Sequence, residues 1–151
     1  MALATAAQVR ALSPSLSSAD DTTINALIAR IDAAFARYCL HPSPDSGAPT
    51  MEAATYTSFP GRYDLGMGDD ANVCVLPTPP ILSITSVHID AEQDYGSDSL
   101  LTAAEYVKDG RRVELTVDAD HTWGHSHRAN KVIVSAGYTV ADHPTLTDAA
   151  I

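Results

Sequence analysis

The chain has 151 residues, 45 % of them apolar and 19 % charged, the balance of a globular protein about one domain long rather than of a disordered tail. Asp and Glu outnumber Lys and Arg by 19 to 9, for a net charge of −10, and only Arg111-Arg112 and Arg128…Lys131 approach a basic cluster. Gripping DNA by phosphate neutralisation is therefore disfavoured, while letting DNA pass without sticking is not. No apolar run nears the roughly 20 residues of a membrane span, so no membrane contact is expected. The start, Met1 to Ala7, has neither a basic end nor a long apolar stretch, so no secretory signal is expected.

The first forty residues read as helical. Thr5 can cap a short helix through Leu12, which stops before Ser13-Pro14 because the residue ahead of proline avoids the α region. Ser18…Asp21 fits a capping box and opens a second, longer helix from about Ala19 to Cys39. Ile24, Leu27, Ile28, Ile31, Ala34, Phe35 and Tyr38 recur at helical spacing and make one apolar stripe, expected to be the helix's core face. Asn25, Arg30, Asp32 and Arg37 lie opposite.

His41 to Pro49 holds three prolines and a glycine and opens a loop-rich insert over 41–76. Within it, Thr55–Phe59 and Val73–Leu76 have strand-like composition. The segment 77–140 is β-rich. Leu76-Pro77-Thr78-Pro79-Pro80-Ile81 feeds a β-run through Asp90, and Asp109-Gly110 fits the two-residue turn of a hairpin. Val113, Leu115 and Val117 share one face of a strand, as do Val132, Val134, Ala136 and Tyr138, with a bend allowed at Gly137. Pro144 opens a short terminal helix over 144–151. The expected class is α+β: an N-terminal helix pair, a β-rich unit and a short C-terminal helix. Cys39 and Cys74 are too few for a disulfide framework, and both read as small buried hydrophobes.

Candidate chemistry is sparse. Gly66-Met67-Gly68-Asp69-Asp70-Ala71 nominally matches a dinucleotide fingerprint, which works only between an entering strand and a leaving helix. A flexible acidic loop is the simpler reading. His121, His125 and His127, with Asp118 or Asp120, have the ligand types of a zinc site, but no second ligand group with characteristic spacing supports one, so solvated loop histidines and no bound metal are expected. Asp118-Ala119-Asp120 starts like a calcium loop but carries Trp123 where that loop requires glycine. No Gly-x-Ser-x-Gly elbow, phosphate loop or His-Glu-x-x-His helix occurs, so neither an enzyme nor a bound cofactor is expected.

Several elements persuade by their order. They are the second helix, with Asp20-Asp21…Ile24…Leu27-Ile28…Ala33-Ala34…Tyr38, then Leu76-Pro77…Pro80-Ile81…Ile84-Thr85-Ser86-Val87 and Leu101 to Val107. Trp123, Val132 to Tyr138 and Pro144 to Ala150 complete them. Taken together, these residues resemble the head–tail connector (adaptor) proteins of tailed bacteriophages and related gene-transfer particles, over most of the chain. The resemblance implies a non-enzymatic virion protein of the neck, assembled in the host cytoplasm into a homo-oligomeric ring, usually a dodecamer. Such a ring sits beneath the portal protein, lines the DNA channel and hands it on to a stopper or tail-terminator protein. It also implies that the terminal segment, with Leu146, Ala149, Ala150 and Ile151, docks to the portal; the family's arm is usually longer, and the 41–76 insert is longer here.

Two other readings compete. Another tail ring component, a stopper or tail terminator, would be mainly β-barrel, and the helical start favours the adaptor. A β-rich ligand- or metal-binding module would use the His121 to His127 loop.

Overall fold

A computed structural model describes residues 4–66, 71–116 and 119–139. Among these the fold is α+β, with two α-helices, one 3-10 turn and six strands in two three-stranded sheets. The chain divides into two compact units, Met1–Ala54 with Gly137–Ile151, and Thr55–Ala136. The terminal helix expected over 144–151 lies outside the described residues.

In the helical unit, α1 spans Ala6–Leu12 and α2 spans Asp21–Tyr38, with a 3-10 turn at Ser18–Asp20 leading into α2. Thr5 caps α1 as expected: its hydroxyl accepts from Gln8 N, and the Gln8 side chain accepts from Thr5 N at 2.8 Å. The second capping box falls one residue earlier than the sequence suggested. Asp20 Oδ2 accepts from the backbone N of Ser17 at 2.9 Å and from its hydroxyl, because the 3-10 turn starts ahead of the α-helix. Arg10 of α1 forms an ion pair with Asp21 of α2.

The far end of α2 closes in a Schellman motif. His41 N donates to Ala36 O at 2.9 Å and Leu40 N to Arg37 O at 3.0 Å. The motif needs a left-handed residue, and Leu40 supplies it at φ 57° where glycine is the usual occupant.

One flank of α2 packs on the chain that follows it. Thr50 Oγ1 and Met51 N both donate to the Asp32 carboxylate, the latter at 3.0 Å. Ala36 and Met51 form a small buried cluster against Tyr138, whose N donates to Met51 O at 2.9 Å and whose ring stacks on His41. Gly137 makes this approach possible. At φ 138° it occupies a conformation closed to side chains, and a Cβ there would collide with the Glu52 carbonyl and lie 2.7 Å from Ala53 Cα.

The β unit contains two sheets, β1-β6-β3 and β2-β5-β4. Their strands are β1 Ala54–Ser58, β2 Val73–Val75, β3 Ile81–Ile89, β4 Tyr106–Asp109, β5 Arg112–Leu115 and β6 Asn130–Ala136. β1 and β2 thus turn two stretches of the supposed insert into sheet strands. β6 alternates cleanly, burying Asn130, Val132, Val134 and Ala136, as expected of a strand with one packed face. β3 runs antiparallel to it through two register shifts, which break the alternation in β3.

The hairpin forms with a different register from the one expected. Asp109 pairs with Arg112, so the two-residue loop is Gly110-Arg111 rather than Asp109-Gly110. The displaced carbonyls are used elsewhere: Ile81 N donates to Gly110 O and Leu76 N to Arg111 O. A contact at each end of the proline-rich entry therefore sets the turn. Val113 and Leu115 are buried as expected, and Val117 lies outside the described residues.

Candidate assembly surface

The residues singled out for chemistry do not converge. His121 is half exposed with its Nε2 3.5 Å from Glu105 Oε1, and His125 and His127 are exposed. His125 lines an open cleft with Arg62, Tyr63, Leu65 and Gly66. The described residues contain no group of three or more His, Cys, Asp or Glu side chains arranged to hold a metal ion; Asp118 lies outside them. Gly66 donates to Val73 O at 2.7 Å and Leu65 bridges Cys74, so the glycine motif is followed by a strand, not by the helix that a dinucleotide site needs. Met67, Gly68, Asp69 and Asp70 lie outside the described residues, as do the docking candidates Leu146, Ala149, Ala150 and Ile151.

The perturbed ionisable groups are structural. Glu105 accepts from Thr102 N at 2.7 Å and from its hydroxyl at 2.8 Å, which, with His121 nearby, holds its carboxyl below the ordinary range. Asp90 is held low chiefly by Tyr95 N, at 2.7 Å, and also by Glu92 N. Burial, with Asp64 adding to it, pushes the Cys74 thiol up to about 12. Cys39, by contrast, is exposed: the end of α2 is not covered where the sequence suggested burial.

No family model matches the chain. None of the curated proteins is similar to it either.

The feature that stands apart is the apolar stripe of α2. Of its seven residues only Ile24 is buried; Leu27, Ile31, Phe35 and Tyr38 are 50, 41, 45 and 87 % exposed. The expectation of a core face is overturned, and geometry supplies the reason. At 1.5 Å per residue α1 is about 10 Å long and α2 about 27 Å, so α1 can cover only part of α2. What α1 does cover forms the wall of a groove of about 290 Å³, lined by Val9, Leu16, Ile24, Leu27, Ile28 and Ile31 with Asp20 and Thr23 at its rim. Beyond it, Ile31, Ala34, Phe35 and Tyr38 continue the apolar strip. Among the described residues, the flank carrying Asp32 and Ala36, about 120° round the helix, is the one that packs on the segment following α2.

Leu40 extends this exposure. It is 88 % exposed, in a left-handed conformation that costs a non-glycine residue roughly 1–2 kcal/mol. Covering the remaining open area of Leu27, Ile31 and Phe35 would contribute on the order of 1 kcal/mol each. Sequence reasoning found the stripe, but amphipathic spacing says only that the face is covered by something, not that the same chain covers it.

Proposed function

We propose that this chain is a non-enzymatic structural protein of a tailed-virus particle, an adaptor whose copies assemble into a ring of about twelve between the portal and a stopper or tail-terminator protein. The observation that carries the reading is the apolar face of α2, exposed among the described residues, since a face of that size belongs to an assembly surface. A helix pair preceding a β unit agrees with the adaptor rather than with a mainly β-barrel stopper. The net charge of −10 suits a channel wall that repels phosphates, so double-stranded DNA passes without being retained. Among the described residues no helix is long and apolar enough to cross a membrane.

The terminal segment, with Leu146, Ala149, Ala150 and Ile151, docks to the portal in this reading. The test is negative-stain imaging of the purified protein mixed with portal-bearing, tail-less heads. Rings seated on the portal vertex are expected, and a version lacking residues 145–151 should remain folded but fail to join the heads. Unoccupied vertices with the intact protein in excess would refute the adaptor reading. Equal incorporation of the shortened protein would refute the docking role alone.

A further inference from the structure

Arg128 and Lys131 of the β unit are held in an unusual way for basic residues of so acidic a chain. Each rests on an aromatic ring: the Arg128 guanidinium carbon lies 4.0 Å from the centre of Phe59, and Lys131 Nζ lies 4.8 Å from that of Tyr95. The two ring centres are 5.9 Å apart, and His88 meets Tyr95 edge-on. All five residues belong to the compact unit Thr55–Ala136. We propose that Arg128 and Lys131 form a docking site for carboxylate side chains of a protein partner. The site uses the β unit alone, so it stands whether or not the chain is a ring adaptor.

The backbone that presents these side chains is strained. Four non-glycine residues have left-handed φ among the described residues, and three of them are here: Gln93 at 67°, Tyr95 at 52° and Arg128 at 57°. Such conformations persist only where the surroundings over-determine them, and they gather at ligand clamps. The fastening is explicit. Tyr95 Oη donates to Arg128 O at 2.6 Å, Gln93 Nε2 donates to His127 O at 3.0 Å, and the Asp90 carboxylate accepts from Tyr95 N. The loop after β3 and the turn before β6 are thereby tied together, with both cations set on their rings. Neither cation is neutralised within the chain: among the described residues the ion pairs are Arg10 with Asp21 and His121 with Glu105. Stacking occupies the face of the guanidinium and leaves its N–H edge for a planar acceptor. A side chain already fixed on a ring also loses less freedom on binding.

The surroundings favour a carboxylate over nucleic acid. Glu92, Asp94 and Asp98 are exposed on the loop that carries Tyr95. Duplex DNA brings a negative charge about every 1.7 Å, so its phosphates would meet these carboxylates as well as the two cations. The ring faces that the cations cover are also lost to base stacking. An acidic side chain of a protein brings its charge to one point, and basic residues flanking it would be attracted to Glu92 and Asp94. The partner surface that fits is therefore an acidic residue or pair with basic neighbours.

Fluorescence anisotropy of a labelled peptide with two adjacent glutamates flanked by lysines, titrated with the full chain, tests the site. Saturable binding is expected, weakened by added salt and absent for the same peptide with glutamines in place of the glutamates. Arg128→Gln and Lys131→Met should each weaken binding roughly tenfold. Arg111→Gln, which removes an exposed cation of the hairpin instead, should leave it unchanged. Should a variant melt early from losing its ring contact, the wild-type chain decides: backbone amide shifts on adding peptide should centre on residues 93–96 and 127–131. No saturable binding, equal binding of the glutamine peptide, shifts centred elsewhere, or folded variants that bind as tightly as wild type would each overturn the proposal. Tighter binding of a short duplex DNA or of inorganic phosphate than of the peptide would overturn it in favour of a phosphate site.

Discussion

Asn130 offers the most direct test of how the β unit is held together. It is fully buried at the start of β6, and its side chain makes three hydrogen bonds. The amide nitrogen donates to Pro60 O at 3.1 Å and to Gly124 O at 2.7 Å, and the amide oxygen accepts from Gly124 N at 2.9 Å. In Asn130→Ala all three backbone groups lose their partner. A buried group left unsatisfied costs about 1–3 kcal/mol. Pro60 is fully buried and its carbonyl should cost the full amount, while half-buried Gly124 can recover part from water. The expected loss is therefore about 3–5 kcal/mol, a large share of the roughly 5–15 kcal/mol that holds a domain together. Urea unfolding reads this directly, because Trp123, the single tryptophan, is buried nearby and reports loss of its surroundings by fluorescence. With a slope of about 1–3 kcal/mol per molar urea the midpoint should fall by roughly 2 M. Asn130→Asp separates hydrogen bonding from packing: it keeps the volume and the acceptor but at neutral pH cannot donate to either carbonyl. It should be at least as destabilised as the alanine variant. Stability within about 1 kcal/mol of wild type for Asn130→Asp would refute the reasoning.

Three further outcomes follow from the same geometry. A thiol reagent should modify one cysteine per native chain, exposed Cys39, and reach Cys74 only on unfolding, since burial holds that thiol at about 12; two fast-reacting thiols would contradict this. Asp90 is held low mainly by Tyr95 N, so its contribution is present above the ordinary carboxylate range, near pH 4, and is lost as pH falls through its lower folded value. Asp90→Asn should lower stability at pH 7 and flatten that part of the acid-unfolding curve; an unchanged acid profile would show that the carboxylate matters little. Leu40→Gly should raise the melting temperature by relieving about 1 kcal/mol of left-handed strain, and Gly137→Ala should lower it because the added carbon meets Glu52 and Ala53; opposite signs in thermal melts would refute both.

The sequence alone determined what local chemistry can encode. Thr5 with Gln8 capped α1, the apolar spacing from Ile24 to Tyr38 marked α2, and the alternation of Val132, Val134 and Ala136 marked β6, because such signals act within a few residues. Tertiary structure decided everything that depends on a partner far along the chain. The hairpin took Gly110-Arg111 as its loop because Leu76 and Ile81 claimed those carbonyls. Asn130 reached Pro60, and Trp123 Nε1 reached Asn72 O at 2.7 Å, across 70 and 51 residues that no local pattern spans. The stripe of α2 shows the division most sharply. Spacing fixes which residues share a face, but coverage depends on what lies opposite, and α1 is too short to cover it. The apolar face is thus written in the sequence, and only the fold decides that it stays exposed among the described residues.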